Sequence, residues 1–121
     1  MSTETKTYTG GCHCGAVRFE MTCAPITAAL ECNCSHCQMK GMLLMFGPKS
    51  EFVLKAGEDK LTEYRFNQKK IAHQFCSVCG AQPFAFGHDK EGNETACINV
   101  RCIDAIDIDA LERNKFNGKD F

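Results

Sequence analysis

The chain has 121 residues, of which 14 are Lys or Arg and 15 are Asp or Glu, so its formal net charge is −1. This length fits one small domain, and the balanced charge argues against nucleic-acid or membrane-surface binding. The longest apolar run, residues 42–46, is far too short to cross a bilayer, and the first residues carry no hydrophobic leader segment. We therefore expect a cytoplasmic protein that binds neither nucleic acid nor membrane.

Short strands and turns alternate along the chain, which is typical of an all-β domain. Residues 1–8 are predicted to be disordered or extended, and residues 9–121 to form a single domain. In residues 16–21, the apolar side chains of Val17, Phe19 and Met21 alternate with other residues, which indicates a strand with one buried face. Alternation or short apolar runs predict strands at residues 16–21, 42–46, 51–55, 61–66, 71–75 and 95–102, and residues 83–86 form a further short apolar segment.

Three further segments complete the prediction. Residues 26–30 are mostly apolar and fit either a strand or a helix. The polar loop 67–70 separates two strands and predicts a hairpin. Residues 107–113 predict a short helix, and Asn117 with Gly118 predicts a turn.

Ten cysteines are unusually many for a chain of this length. In the absence of a secretion signal, clustered cysteines indicate metal ligands rather than disulfides, because thiols stay reduced in the cytosol. Disulfides within CxC or CxxC motifs would also close very tight rings. The sequence therefore predicts bound metal.

Two cysteine pairs flank the centre of the chain. Cys12 and Cys14 form a CxC motif, and on an extended segment both sulfurs would project to one face. Cys76 and Cys79 form a CxxC knuckle, whose turn needs the positive φ that Gly80 can adopt. Together the two pairs offer four thiolates, which is the closed coordination sphere of a structural zinc.

Between these pairs, Cys32, Cys34 and Cys37 fuse a CxC motif to a CxxC motif. Three thiolates leave the fourth position of a tetrahedral ion open, as in catalytic zinc sites. A thiol that enters this position loses its proton, so the cluster suits thiol chemistry. A zinc ribbon that joins Cys34 and Cys37 to Cys76 and Cys79 stays open, although their separation exceeds the usual gap of about 15–20 residues.

Three cysteines and one histidine near these motifs have other expected roles. Cys23, Cys97 and Cys102 are expected to be small buried apolar side chains. His36 lies inside the central cluster and is a candidate fourth ligand. His73 alternates with the apolar residues of its strand and is expected either to line a pocket or to pack in the core.

Five motifs carry a resemblance to a known family. They are Gly-Gly-Cys12-His-Cys14-Gly, Cys32-Asn-Cys34-Ser-His-Cys37, Tyr64-Arg-Phe, Phe75-Cys76-Ser-Val-Cys79-Gly and Asn99-Val-Arg101-Cys. In this order they resemble the glutathione-dependent formaldehyde-activating enzyme family, which also includes centromere protein V. The resemblance runs from about residue 8 to the end, and it implies a β-tent fold of antiparallel sheets.

The resemblance also implies two zinc ions per chain and an activity. A structural zinc would be held by Cys12, Cys14, Cys76 and Cys79, and a second, open zinc by the catalytic cluster Cys32, Cys34 and Cys37. The implied protein is a carbon–sulfur lyase that acts on adducts of a small aldehyde, such as formaldehyde, with glutathione or another thiol. Lys40, Arg65 and Arg101 are candidate partners for the glutathione carboxylates. The alternative is a non-catalytic zinc module that binds a thiol, a peptide or a protein partner.

Overall fold

The computed structural model describes residues 5–65 and 71–116. The predicted loop 67–70 and the predicted turn at Asn117 and Gly118 lie outside these ranges. Within them the chain forms ten strands and one short helix, α1 (Ser35–Lys40), which confirms the all-β prediction. The strands are β1 (Lys6–Gly11), β2 (Arg18–Cys23), β3 (Ala28–Cys32), β4 (Leu44–Pro48), β5 (Phe52–Ala56), β6 (Leu61–Tyr64), β7 (Ala72–Cys76), β8 (Phe84–His88), β9 (Glu94–Asn99) and β10 (Glu112–Phe116).

The strands form two sheets. One sheet has the order β1-β2-β5, and the other has the order β10-β3-β4-β9-β8-β7-β6. Neighbouring strands run antiparallel, as predicted, with one exception. The exception is β10, which pairs in parallel with β3 and brings Phe116 opposite Cys32.

The main core lies between the two sheets and is built around three phenylalanines. Phe19 of β2 stacks on Phe52 of β5 with ring centroids 5.6 Å apart. Phe84 of β8 reaches across from the larger sheet, with its ring 5.7 Å from Phe19 and 4.8 Å from Phe52. Burial of each such side chain contributes about 1.5–3 kcal/mol, so these contacts hold the two sheets face to face.

The opposite face of the larger sheet carries α1. Cross-strand pairing places Tyr64, His73, Ala85 and Cys97 in one row, since directly opposed residues share a face of the sheet. His36 of α1 lies over this row, 4.2 Å from the His73 ring and 5.8 Å from the Tyr64 ring, measured between centroids. The helix and its cysteines therefore sit outside the main core.

One prediction was wrong, and another extended too far. Instead of a helix at 107–113, the chain makes a single 3₁₀ turn and then enters β10. The Asp107 side chain accepts a hydrogen bond from the Asp109 N–H at 3.2 Å, which favours that turn. The strand predicted at 95–102 ends at Asn99, where a 3₁₀ turn begins.

Other segments agree with the sequence or resolve what it left open. The antiparallel pairing of β6 and β7 is confirmed, with Tyr64 opposite His73. Residues 26–30 lead into the strand β3, and residues 6–8, expected to be disordered or extended, are extended in β1. Helix α1 was not predicted, and no helix in the described ranges is long and apolar enough to cross a membrane.

Gly57 should tolerate no side chain, because it lies against the turn that carries the first cysteine pair. Its φ is +91°, and an added Cβ would meet the Ala16 carbonyl and lie 2.7 Å from the Val17 Cα. We expect Gly57→Ala to lower the free energy of unfolding by about 2–5 kcal/mol, from left-handed strain and overpacking. The matched control is Gly92→Ala, with φ +85° and open space around it, which should cost about 1–2 kcal/mol. Equal losses in urea denaturation would contradict the steric argument.

Candidate metal centres

The first cysteine pair lies in the turn between β1 and β2. The sequence placed Cys12 and Cys14 on an extended segment, whereas the structure bends the chain there. The Cys12 N–H donates to the Val17 carbonyl at 3.1 Å, and Gly15 adopts a φ of +83°. The turn brings the two sulfurs to within 3.5 Å of each other. They converge because the chain reverses direction, and not because alternate side chains of a strand share one face.

The second pair forms the expected knuckle at the end of β7. Cys76 is fully buried, and Gly80 follows the knuckle with the predicted positive φ, +82°. The Gly80 N–H donates to the Cys76 carbonyl at 2.9 Å, which closes the turn. The N–H groups of Ala81 and Cys14 lower the pKa of Cys79 to about 6, so this sulfur is prepared to act as a thiolate.

These two pairs meet in space. The sulfurs of Cys12, Cys14, Cys76 and Cys79 all lie within 4.8 Å of one another, and the Cys14 and Cys76 sulfurs are 3.7 Å apart. A tetrahedral zinc with bonds of about 2.3 Å places its sulfurs about 3.8 Å apart. The four thiols therefore fit a zinc ion, and the site would tie the turn of the smaller sheet to β7 of the larger one.

The other three clustered cysteines form a separate group. Cys32 ends β3, Cys34 is the N-cap of α1, and Cys37 lies in its first turn. Their sulfurs also lie within 4.8 Å of one another. The Cys37 N–H donates to the Cys34 sulfur at 3.3 Å and the Cys34 N–H to the Cys32 sulfur at 3.5 Å. The zinc-ribbon pairing is not formed, because Cys34 and Cys37 group with Cys32 instead.

Backbone hydrogen bonds from neighbouring segments hold this three-sulfur cluster in place. The Asn33 N–H donates to the Phe116 carbonyl of β10 at 3.0 Å, and the Met42 N–H donates to the Cys37 carbonyl at 3.1 Å. Cys37, Met42 and Leu44 form a small buried group of their own. The cluster is thus built on strand ends and a capped helix rather than on a free loop.

Three sulfurs are what the described residues offer to an ion here. Among them, no fourth Cys, His, Asp or Glu ligand atom joins Cys32, Cys34 and Cys37. His36 packs its ring against His73 instead. Cys97 packs against the cluster from β9, and burial raises its pKa to about 12, so it is held as a neutral thiol.

A polar network next to the cluster escaped the sequence analysis. Gln82 is only 4% exposed. Its Oε1 accepts from the Lys40 ammonium at 2.9 Å, and its Nε2 lies 3.2 Å from the His73 Nδ1. Its carbonyl accepts from the Asn99 side chain at 3.1 Å. The sequence held one signal of this network: Gln82 is a polar residue between the Cys76–Cys79 knuckle and the apolar segment 83–86.

The two histidines beside the cluster are held neutral. Burial lowers the pKa of His73 to about 4, and repulsion from a protonated His36 and from the Lys40 ammonium would act in the same direction. Burial also lowers the pKa of His36, and the Lys40 charge adds to that effect. The ammonium of Lys40 therefore lies close enough to act on both rings.

The remaining residues singled out from the sequence are not members of either cysteine group. All ten cysteines are free thiols, and Cys23, Cys97 and Cys102 are half-buried rather than fully buried. Arg65 pairs with Glu63 at 2.7 Å. Arg101 is exposed and donates to the Gly41 carbonyl, directly after α1.

Comparison with known proteins agrees with this arrangement. A crystal structure of a Rhodobacter sphaeroides protein is similar, with a TM-score of 0.72 and 25% sequence identity. The match covers 88% of this chain and 99% of that chain. A family model described as glutathione-dependent formaldehyde-activating enzyme matches residues 7–117, a range that holds all seven clustered cysteines. The chain therefore belongs to the glutathione-dependent formaldehyde-activating enzyme family.

Proposed function

We propose that the protein is a zinc-dependent carbon–sulfur lyase that joins a small aldehyde, such as formaldehyde, to a thiol such as glutathione in the cytoplasm. The observation that carries this proposal is the three-sulfur cluster, which the described residues leave one ligand short of a tetrahedron. The family description supports the same thiol and aldehyde. A purely structural site would have no use for an incomplete set of ligands.

The two cysteine groups have different tasks in this proposal. The four-cysteine group is closed and holds the sheets together. At the three-cysteine group, a bound zinc supplies one position where an incoming thiol loses its proton. The backbone N–H groups of Cys34 and Cys37 orient two of the sulfurs. Helix α1 and β3 fix the spacing of all three.

The proposed reaction is a simple addition. The thiol sulfur forms a bond to the carbonyl carbon of the aldehyde, and the carbon–oxygen double bond becomes a single bond. The proton that leaves the sulfur ends on the new hydroxyl oxygen, so the atoms balance and no oxidant or reductant is needed. The reverse reaction breaks the same carbon–sulfur bond and releases the aldehyde.

The test is the rate of adduct formation compared with the spontaneous rate. Exchange NMR between free formaldehyde and S-hydroxymethylglutathione measures both rates in one sample. We expect zinc-loaded protein to accelerate exchange at least about tenfold, which corresponds to a barrier lowered by about 1.4 kcal/mol. Cys34→Ser should abolish the acceleration, and Cys23→Ser, outside both groups, should retain it. Fully loaded protein that leaves the spontaneous rate unchanged for formaldehyde and its small homologues would favour the non-catalytic binding module.

A further inference from the structure

Two cations flank the C-terminal end of α1, the helix that carries Cys37. Lys40 is the last residue of the helix, and Gly41 is its C-cap. Arg101 comes from the turn after β9, and its Nε donates to the Gly41 carbonyl at 2.9 Å. Both side chains therefore start from the same end of the three-cysteine site, although they lie far apart in the sequence.

Neither cation is neutralised within the part of the chain that the structure describes. The ion pairs found there join Arg18 to Asp104, Lys49 to Glu94, Arg65 to Glu63 and Arg113 to Glu31. Of the three candidate partners for a carboxylate, Arg65 is thus already paired with an acid. Neither Lys40 nor Arg101 takes part in these ion pairs, so both can pair with the carboxylate of a ligand.

Both cations are held in position before any ligand binds. The Lys40 ammonium donates to the Gln82 Oε1 at 2.9 Å and lies 5.1 Å from the centroid of the Phe75 ring. The Arg101 guanidinium donates through its Nε to the Gly41 carbonyl at 2.9 Å, and the backbone N–H of Arg101 donates to the Asn99 Oδ1 at 3.2 Å. Fixing a long side chain in advance lowers the entropy cost of binding.

A purely structural role accounts for only part of this arrangement. Cations near a helix C-terminus interact favourably with its dipole, by about 0.3–1 kcal/mol each. That role uses the Nε of Arg101, whereas a guanidinium has five N–H donors and an ammonium has three. Both residues are exposed, so their other donors are open to solvent.

We propose that Lys40 and Arg101 form a carboxylate-binding pair that selects thiol substrates carrying a carboxylate. This inference rests on the proposed function, because it assumes that the substrate sulfur binds beside Cys37. A guanidinium and an ammonium that both come from the C-terminal end of α1 suit a carboxylate better than any neutral group. Glutathione carries a carboxylate at each end, whereas a neutral thiol such as 2-mercaptoethanol carries none.

The test measures thiol binding rather than turnover. The protein is loaded with cobalt, whose sulfur-to-metal absorption changes when a thiolate binds. Three probes are titrated: glutathione, glutathione diethyl ester and 2-mercaptoethanol. We expect glutathione to bind about tenfold more tightly than its ester. Lys40→Gln and Arg101→Gln should each weaken glutathione binding about tenfold, or about 1.4 kcal/mol, and leave 2-mercaptoethanol unchanged.

The control and the opposing outcomes separate the two proposals. Lys55→Gln removes an exposed cation of β5 and should change none of the affinities. If the ester binds as tightly as glutathione, or if either variant weakens 2-mercaptoethanol equally, the carboxylate pair is refuted while the thiol site stands. If no thiol changes the cobalt spectrum, the proposed function fails and the pair fails with it.

Discussion

Cys76→Ala is expected to unfold the domain. A structural zinc contributes an apparent binding free energy of about 10–16 kcal/mol, whereas small domains are stable by only about 5–15 kcal/mol. Cys76 is fully buried and belongs to the main core as well as to the four-cysteine group. Its loss should therefore remove both a ligand and the link between the two sheets. Circular dichroism and thermal scans of protein purified under reducing conditions measure the effect.

The matched control for this variant is Cys23→Ala. Cys23 is half-buried at the end of β2 and lies outside both metal groups. We expect it to keep two zinc ions and a cooperative thermal transition. A folded Cys76→Ala protein with a normal transition would show that the four-cysteine group does not carry the fold.

Cys37→Ala is expected to have the opposite result: one zinc ion of two is lost and the fold is kept. The three-cysteine group lies on the outer face of the larger sheet, in a small cluster separate from the main core. Removal of the Cys37 sulfur should lower the free energy of unfolding by only about 1–3 kcal/mol. Metal analysis and urea denaturation test the two parts of the expectation independently.

A second variant separates the metal from the helix. Cys34 caps α1 through its sulfur, which accepts from the Cys37 N–H. Serine is a preferred N-cap residue, so Cys34→Ser should preserve α1 and still lose the second zinc. If Cys37→Ala or Cys34→Ser unfolds the domain as Cys76→Ala does, the division into one structural and one functional site is wrong.

The sequence predicted the two groups of cysteines better than their surroundings. Cysteines within six positions, or in a knuckle followed by Gly80, indicate metal binding through local chemistry alone. Helix α1 was missed because its six residues, SHCQMK, show no apolar period, and because its cap is a cysteine. Its formation depends on the cap and on contacts with the sheet beneath it.

The errors in predicting the fold arise from contacts between segments that are distant in the sequence. The apolar residues between 107 and 113 have a helical spacing, but the chain after Leu111 pairs in parallel with β3. The sequence of β10 itself does not indicate that it pairs with β3, which lies about 80 residues earlier. The Gln82 network is hidden for the same reason, because it joins α1, β7 and β9 through side chains that are distant in sequence.

The two cysteine groups also differ in how they couple metal binding to folding. Cys14 and Cys76 are 62 residues apart, so an unfolded chain must close a long loop to bring them together. That closure costs about 4 kcal/mol, so zinc would bind this group mainly in the folded state. The three-cysteine group is local in sequence, and an unfolded chain could already wrap it around an ion. A ligand stabilises a protein only as far as it prefers the native state. Zinc at the four-cysteine group would therefore drive folding, whereas zinc at the three-cysteine group would leave the folding equilibrium almost unchanged.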